Sequence, residues 1–281
     1  MPYDINEWKY AKYVCLNTTL DTRSRIFLKL NWIYQDQQNW YKLYTGCGGK
    51  FQSPIDLPVS GLVKVHGQRP LIFGNYAEVP LTMTMFFDGN RIIVHGKWHK
   101  NNMPLIFGGA AHSRRYIFYC LSMHWPTEHK IGGLSYPLEL QILHISAEYA
   151  SFEDAMKGSN NDPMAFLCVS VIFRYEQHTH PPLKNLLKAG IRSRASNVSL
   201  NPIPLSHISP PFHNYVAYHG SLPVPPCTES VLWIVRSKAL PIKREFLEAV
   251  NVALSIQGET EKLLGRSVQS LNDRKVYLFN L

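Results

Sequence analysis

The sequence predicts a mainly β (α+β) fold with short helices at its periphery. Segments rich in β-branched and aromatic residues dominate the middle of the chain, and convincing helical periodicity occurs in only two places. Prolines cluster at Pro181-Pro182, Pro202–Pro211 and Pro223–Pro226, which interrupts helices and predicts long ordered loops. No repeat, low-complexity stretch or flexible linker marks a boundary between domains.

The predicted strands are short runs of β-branched and aromatic residues. They are Arg91–Val94, Tyr116–Trp125, Leu138–Ile145, Phe166–Tyr175 and Val231–Val235. The two predicted helices are Leu183–Ile191 and Lys243–Leu254, where apolar residues recur at helical spacing.

Two of these strands carry polar side chains among apolar ones. Strict alternation places on one face of the first strand Tyr116, Phe118, Cys120, Ser122 and His124. It places on one face of the second strand Glu139, Gln141, Leu143 and Ile145, with His144 on the other. Both faces are largely apolar, so these are predicted to be central strands, and an unpaired buried polar group there costs about 1–3 kcal/mol. The pattern therefore indicates a polar site within the sheet.

Composition excludes several classes of protein. The 281-residue, 32.2 kDa chain is 45% hydrophobic, which does not fit a disordered, collagenous or coiled-coil protein. The longest nearly apolar run, Ala165–Phe173, is far shorter than the roughly 20 residues of a membrane helix, so no transmembrane segment is predicted.

The chain is basic, with a formal net charge of +9. The densest positive cluster is Lys184, Lys188, Arg192 and Arg194, which is typical of a solvated face. An acidic protein or an acidic glycan is therefore a conceivable partner. Nucleic acid is not expected, because no stripe of basic and aromatic residues or known module is present.

The five cysteines are scattered, and none has CxxC spacing, so a zinc ribbon or thioredoxin-type site is not predicted. Cys120 and Cys168 lie in strand patterns and are expected to be buried apolar residues, and Cys15 is expected to be unpaired. Asn17 and Asn197 begin glycosylation sequons. Residues 1–20 lack the apolar core of a signal peptide.

Five separated motifs, in order along the chain, resemble those of the α-type carbonic anhydrases. They are Gln52–Asp56, Ser122–Trp125 followed by Glu128-His129, Glu139–His144, Gly220–Glu229 and the closing Arg266–Arg274. The chain is identified as a carbonic anhydrase-related, catalytically inactive member. The resemblance implies a single domain over residues 31–281, built around a large twisted, mostly antiparallel sheet of about ten strands. Residues 1–30 form an extension of unknown role.

In that family a zinc ion is held by three histidines, two at i and i+2 of one strand and the third on its neighbour. The metal lowers the pKa of a bound water to about 7, which provides the hydroxide that attacks carbon dioxide. The resemblance carries the three ligand positions onto Ser122, His124 and Gln141. Only one imidazole remains, so no zinc or other cofactor is expected.

Other positions of the family's site depart from its pattern. The threonine that orients the zinc-bound hydroxide corresponds to Pro223, and its acidic partner is retained as Glu128. The proton-shuttle histidine corresponds to Asn90, which does not titrate near neutral pH. Glu139, which orients a ligand histidine in the family, is retained. The family's apolar pocket wall corresponds to Leu143, Leu222, Val231 and Trp233.

These departures predict a non-catalytic binding or structural scaffold. The alternative is a zinc-dependent carbonate dehydratase-type lyase with residual or rearranged activity, whose substitute ligands would come from His95, His99 and His112. A third possibility is a subunit of a larger assembly that docks through residues 1–30, a segment with several apolar side chains.

Cys47 and Cys227 correspond to the positions that form a disulfide in secreted and membrane-anchored relatives. Because disulfides persist in oxidising compartments, the protein is expected to be secreted or in the secretory pathway, with Asn197 open to glycosylation. If it is cytoplasmic instead, as the missing signal peptide would suggest, the two cysteines remain thiols.

Overall fold

The computed structural model describes residues 34–88, 91–193, 197–254 and 265–280. Within these ranges the chain folds around a mixed sheet of 13 strands, with a separate two-stranded sheet, β1–β8. The main path runs β11-β4-β5-β7-β9-β10-β13-β12-β15-β2, while β14 joins β10 and β6 bridges β3 and β7. Most neighbours are antiparallel, so the predicted fold class is confirmed. Asn17, Asn90, Arg194 and the extension 1–30 lie outside the described residues.

Five of the fifteen strands match the predicted segments to within a few residues at each end, and the other ten were not predicted. In chain order, β1 to β15 are Asp56–Leu57, Val63–Val65, Ile72–Gly74, Thr82–Phe87, Ile92–Lys97, Leu105–Phe107, Tyr116–His124, Lys130–Ile131, Leu138–Ser146, Phe166–Tyr175, Val198–Leu200, Tyr215–Gly220, Val231–Arg236, Leu240–Ile242 and Tyr277–Phe279.

Five α-helices, α1 to α5, occur in the described part of the chain, at Trp40–Leu43, Phe152–Gly158, Pro181–Ser193, Leu205–Ile208 and Arg244–Leu254. The two helices predicted from periodicity correspond to α3 and α5. None of the helices in the described ranges combines the length and apolar character needed to cross a membrane.

The sheet carries a separate hydrophobic core on each face. The helix-side core lies under α3, α4 and α5 and includes Leu121, Leu140, Ile142, Leu183, Leu205 and Leu247. The core on the opposite face borders a cleft that is lined by Ser122 and Gln141. This cleft-side core includes Ile93, Cys120, Leu143, Cys168, Val231 and Trp233. The predicted alternation along β9 is confirmed, because Leu140 and Ile142 lie on one side and Leu143 on the other.

The predicted alternation along β7 is wrong at its beginning. The β7–β9 register shifts between Phe118 and Cys120, so Tyr119 is an extra residue there. Tyr116 and Phe118 therefore belong to the helix-side core, whereas Cys120 belongs to the cleft-side core. The bulge changes which face of the sheet the odd- and even-numbered residues of β7 occupy. This change lies before the polar residues Ser122 and His124 in the sequence.

A disulfide joins Cys47 to Cys227, as the resemblance implied, across a sequence separation of 180 residues. It fixes the turn Thr45–Gly48 against the loop that precedes β13. Gln52 strengthens the same junction, because its Nε2 donates to the carbonyl oxygens of Gly46 and Cys227 at 2.9 and 3.2 Å.

Replacing Cys47 and Cys227 together by alanine should lower the free energy of unfolding by about 2–4 kcal/mol, because the long loop is no longer closed in the unfolded chain. Urea denaturation of the oxidised protein measures this change. Cys168→Ala, which removes a buried free thiol, is the control. Equal stability of the double variant and this control would contradict the expectation.

His144 lies on the helix-side face of β9 and is completely buried. Its Nδ1 is 3.0 Å from the carbonyl oxygen of Ile142, which only accepts, so Nδ1 carries the proton. Nε2 then accepts from the Tyr76 hydroxyl at 2.7 Å. Burial lowers the pKa of His144 to about 3, so the imidazole stays neutral at physiological pH.

This burial predicts sensitivity to acid. Between pH 6.5 and about 3, His144 is protonated in the unfolded chain but not in the folded chain. The free energy of unfolding therefore decreases as the pH is lowered through this range. The fall attributable to this residue is at most about 1.4 kcal/mol per pH unit. His144→Gln, which retains a donor and an acceptor, should remove that part of the slope in denaturant titrations, whereas the exposed His178→Gln should not. Identical slopes in wild type and His144→Gln would contradict it.

Candidate functional site

Two adjacent central strands bring the ligand-equivalent positions together. In the β7–β9 pairing, Ser122 stands opposite Gln141, and His124 stands opposite Glu139. Residues two apart on one strand share a face, so all four side chains point to the cleft side of the sheet. Each is at least 94% buried, since the most exposed, Ser122, has only 6% of its surface accessible.

Gln141 uses its amide nitrogen to satisfy two buried carboxylates. Its Nε2 donates to Glu128 Oε2 at 2.8 Å and to Glu139 Oε1 at 3.3 Å. The NH₂ group of the Gln141 amide thus faces the carboxylates of both Glu128 and Glu139. An amide nitrogen that donates in this way offers no lone pair to a metal ion.

His124 is held between Ser122 and Glu128. Its Nε2 lies 2.9 Å from Ser122 Oγ, and its Nδ1 lies 3.4 Å from Glu128 Oε2. Burial lowers the pKa of His124, while the negative charge of Glu128 opposes this shift. With the proton on Nδ1, facing the carboxylate, Nε2 accepts from the Ser122 hydroxyl.

Glu139 is the most heavily hydrogen-bonded group of the site. Its Oε2 accepts from the backbone N–H groups of Glu128 and His129, both at 3.0 Å. Its Oε1 accepts from Ser170 Oγ at 2.8 Å and lies 2.7 Å from His129 Nδ1, besides the contact from Gln141. Burial alone raises the pKa of this carboxyl, but His129 and the other donors outweigh it and lower the pKa to about 2.

The network continues away from Glu139 to the N-terminal part of the domain. His129 Nε2 lies 2.6 Å from the Tyr218 hydroxyl, which donates to Ser53 Oγ at 3.1 Å. Ser53 is in turn paired with Ser221, because Ser53 N–H donates to Ser221 Oγ at 2.9 Å. A continuous polar path therefore runs from the cleft to the segment Gln52–Asp56.

Glu128 is committed to two donors from different parts of the chain. Besides the Gln141 amide on Oε2, its Oε1 accepts from the backbone N–H of Arg266 at 2.9 Å. The Arg266 guanidinium donates to the carbonyl oxygen of Ser53 at 2.9 Å. Glu128 thus connects β9 to the C-terminal segment.

The cleft has an apolar wall opposite these polar groups. Ser122 and Gln141 line it together with Arg91, Cys120, Leu143, Cys168, Leu222, Pro223 and Trp233. Val231 is fully buried in the cleft-side core and is not among the lining residues. Pro223 presents neither a hydroxyl nor a backbone N–H to the cleft.

Three lining residues, Arg91, Cys120 and Cys168, were not expected from the sequence to take part in the site. Arg91 is 2% exposed and donates through Nε to Asp88 Oδ2 at 3.0 Å. No motif marks it, because its role depends on the turn before β5. Cys168 is a free buried thiol, as predicted, but Cys120 is disulfide-bonded and not merely an apolar strand residue.

The candidate substitute ligands are dispersed. His95 is buried on β5 and stacks on Phe86, with ring centroids 5.8 Å apart. His99 and His112 are exposed on the connections that follow β5 and β6. Across the described ranges, no group of three His, Cys, Asp or Glu side chains is arranged to hold a metal ion.

Comparison with known proteins places these features in a family context. The model of the eukaryotic-type carbonic anhydrases matches residues 35–280. Carbonic anhydrase 6 of Mus musculus is 26% identical over 254 residues, covering 85% of this chain and 77% of that protein. Carbonic anhydrase 15 of Mus musculus is 28% identical, covering 75% and 70%. Carbonic anhydrase 6 of Homo sapiens is 25% identical, covering 88% and 82%.

Glu139→Gln should destabilise the protein by about 3 kcal/mol or more, because the new NH₂ group would face donors that now share a carboxylate. Chemical denaturation at neutral pH measures this loss. Glu245→Gln, on the exposed first turn of α5, is the control and should change stability by about 0.5 kcal/mol or less. Similar stabilities for the two variants would show that the network does not depend on the negative charge.

Proposed function

This chain belongs to the family of eukaryotic-type carbonic anhydrases, and we propose that it is a non-catalytic member, a binding or structural module without a zinc centre. The observation that carries the proposal is the hydrogen bonding of Gln141. Its amide N–H groups occupy the place between Glu128 and Glu139, at the position equivalent to the third metal ligand.

The donor set around this position does not fit zinc. Zinc in proteins prefers imidazole nitrogen and thiolate, and its catalytic sites have three protein ligands. Of the three equivalent positions only His124 carries an imidazole, and its Nε2 is engaged by Ser122. A neutral serine hydroxyl and a glutamine carbonyl are weak replacements, because oxygen ligands of this type suit harder ions.

The groups that would handle a hydroxide are also missing. Pro223 has no side-chain or backbone donor to orient one, and Glu128 is already used by Gln141 and Arg266. Asn90 cannot exchange protons near neutral pH. No step of carbon dioxide hydration can be assigned to the residues of this cleft.

The partner we propose is acidic, either a protein or an acidic glycan. Lys184, Lys188 and Arg192 are exposed on α3 at intervals of four residues, so they form a basic stripe along one face of the helix. The opposite face of α3 is buried in the helix-side core, so the helix holds the stripe in a fixed orientation.

We further propose that the protein works in the secretory pathway or outside the cell. The Cys47–Cys227 disulfide is compatible with an oxidising compartment. Asn197 is exposed beside the edge strand β11, so its sequon is accessible to glycosylation.

Purified protein incubated with excess zinc and desalted should retain well under one metal ion per chain, and it should not accelerate carbon dioxide hydration. Elemental analysis and a stopped-flow pH assay on the same sample measure both. One zinc per chain together with hydration above the buffer rate would overturn the proposal and favour the lyase alternative.

Restoring the missing imidazoles should restore metal binding. Ser122→His with Gln141→His places three imidazoles on one face of two paired strands, the arrangement that zinc requires, so about one zinc per chain should be retained. Ser122→Asn with Gln141→Asn changes the same positions without adding an imidazole and should retain none. A folded histidine variant without zinc would show that other features of the cleft exclude the metal.

A further inference from the structure

A second cavity lies near the β2 edge of the sheet, apart from the cleft. Strands β2 and β15 run parallel and end together there, with Phe279 paired to Val65, and β12 begins on the other side of β15. Four strand spacings, roughly 19 Å along the sheet, separate β15 from β9, which carries Gln141. This pocket and the cleft have no described lining residue in common, so the pocket is a separate site.

The floor of the pocket is apolar and well fixed. Leu71 and Tyr215 are each 1% exposed, and the Tyr215 ring stacks on Phe279 with the ring centroids 4.7 Å apart. The Tyr215 hydroxyl accepts from the backbone N–H of Ala110 at 3.0 Å, which holds the ring in place. The volume of the pocket, about 370 Å³ out to its open mouth, lies within the roughly 300–1,000 Å³ of sites that bind small molecules.

The rim of the pocket carries hydrogen-bond donors and a positive charge. Arg69, His66 and His213 are exposed there, and no hydrogen bond or ion pair within the described ranges engages their side chains. An arginine presents five N–H donors in a planar fork, and each imidazole presents at least one ring N–H. Among the described residues that line the pocket there is no aspartate or glutamate. An anion at the rim would therefore meet donors without an opposing carboxylate.

The loop after β2 brings Arg69 to this rim. Beyond Val65 the chain turns at Gly67, whose φ of +69° lies in the left-handed region that favours glycine. The backbone carbonyl of Arg69 accepts from the N–H of Gly109 at 3.0 Å, and Leu71, two residues further on, is buried in the helix-side core. The backbone at Arg69 is thus anchored beside the floor of the pocket.

We propose that this pocket binds a small organic acid, with one carboxylate on a flat apolar body. The carboxylate pairs with the Arg69 guanidinium in the bidentate geometry that this group favours. The imidazoles of His66 and His213, which approach from the two sides of β15, donate to the same carboxylate. The apolar body of the ligand covers the floor at Tyr215 and Phe279.

Both halves of this chemistry are needed. Inorganic sulfate or phosphate would engage the rim but leave the apolar floor in water, so it would gain nothing from apolar burial. A neutral aromatic molecule would cover the floor but bring no charged acceptor to the rim. Burial raises the pKa of Tyr215 to about 12, so its hydroxyl stays neutral and does not repel a carboxylate.

The pocket goes beyond the proposed function and does not rest on it. Its residues belong neither to the cleft nor to the basic stripe on α3. Protein that retains zinc and hydrates carbon dioxide would refute the non-catalytic proposal and leave the pocket in place. Zinc-free protein that does not bind the organic acid would refute the pocket alone.

Titration of the full-length protein with 4-fluorobenzoate, followed by fluorine NMR, tests the site in solution. Wild-type protein should bind this probe saturably, with a Kd of about 1 mM or lower. The neutral analogue 4-fluorobenzamide should bind about tenfold more weakly or worse, because it brings no charged acceptor to Arg69. Binding without saturation, or equal binding of the two probes, would overturn the inference.

Substitutions at the rim assign the binding to this pocket. Arg69→Gln should raise the Kd for 4-fluorobenzoate about tenfold or more, because a charged hydrogen-bonded pair is lost. Lys184→Gln, which removes one positive charge from the exposed face of α3, is the matched control and should bind like wild type. His213→Ala removes a donor from the other side of β15 and should raise the Kd about threefold or more, which gives a second, independent variant. Wild-type affinity in folded Arg69→Gln or His213→Ala would contradict the assignment.

A crystal of the full-length protein soaked with 4-bromobenzoate locates the ligand directly. The anomalous signal of bromine should lie over the pocket floor beside Phe279, with the carboxylate at Arg69. Bromine found only in the cleft or on α3 would overturn the inference. Bromine in the pocket without saturable binding in solution would show binding at crystal concentration only and would overturn it as well.

Discussion

The buried carboxylate of Glu139 is the constraint on which the arrangement of the site depends. It lies on a strand whose every residue is buried, and it remains ionised because five donors converge on its two oxygens. Those donors come from β9, β10 and the loop after β7. Any change that removes one of them leaves a negative charge less well compensated in the interior, so the donors hold these elements in register.

The same constraint accounts for the place of Gln141 and Ser122 in the cleft. Glu128 and Glu139 face one another across a small volume, and a cation between them would offset their charge. The Gln141 amide supplies positive edges to both, and Ser122 satisfies His124. The amide of Gln141 thus supplies hydrogen bonds to two buried carboxylates, which an apolar substitution at position 141 would not do.

The sequence predicted the central part of this site for a simple physical reason. The period of a strand is two residues, so Ser122 and His124, like Glu139 and Gln141, share a face whatever the rest of the fold does. The start of β7 could not be predicted, because the bulge at Tyr119 depends on its pairing with β9 and leaves no local pattern. The place of Arg91 in the cleft depends on the turn before β5, where it pairs with Asp88, and composition and periodicity do not report such contacts.

The cleft is lined by Arg91, Ser122 and Gln141 beside an apolar wall. Two kinds of occupant are compatible with such a surface, a small ligand or a peptide that brings both apolar and polar groups. The buried network behind that surface does not depend on an occupant, because Glu128 and Glu139 receive their hydrogen bonds from Gln141, Arg266 and other donors of the chain itself.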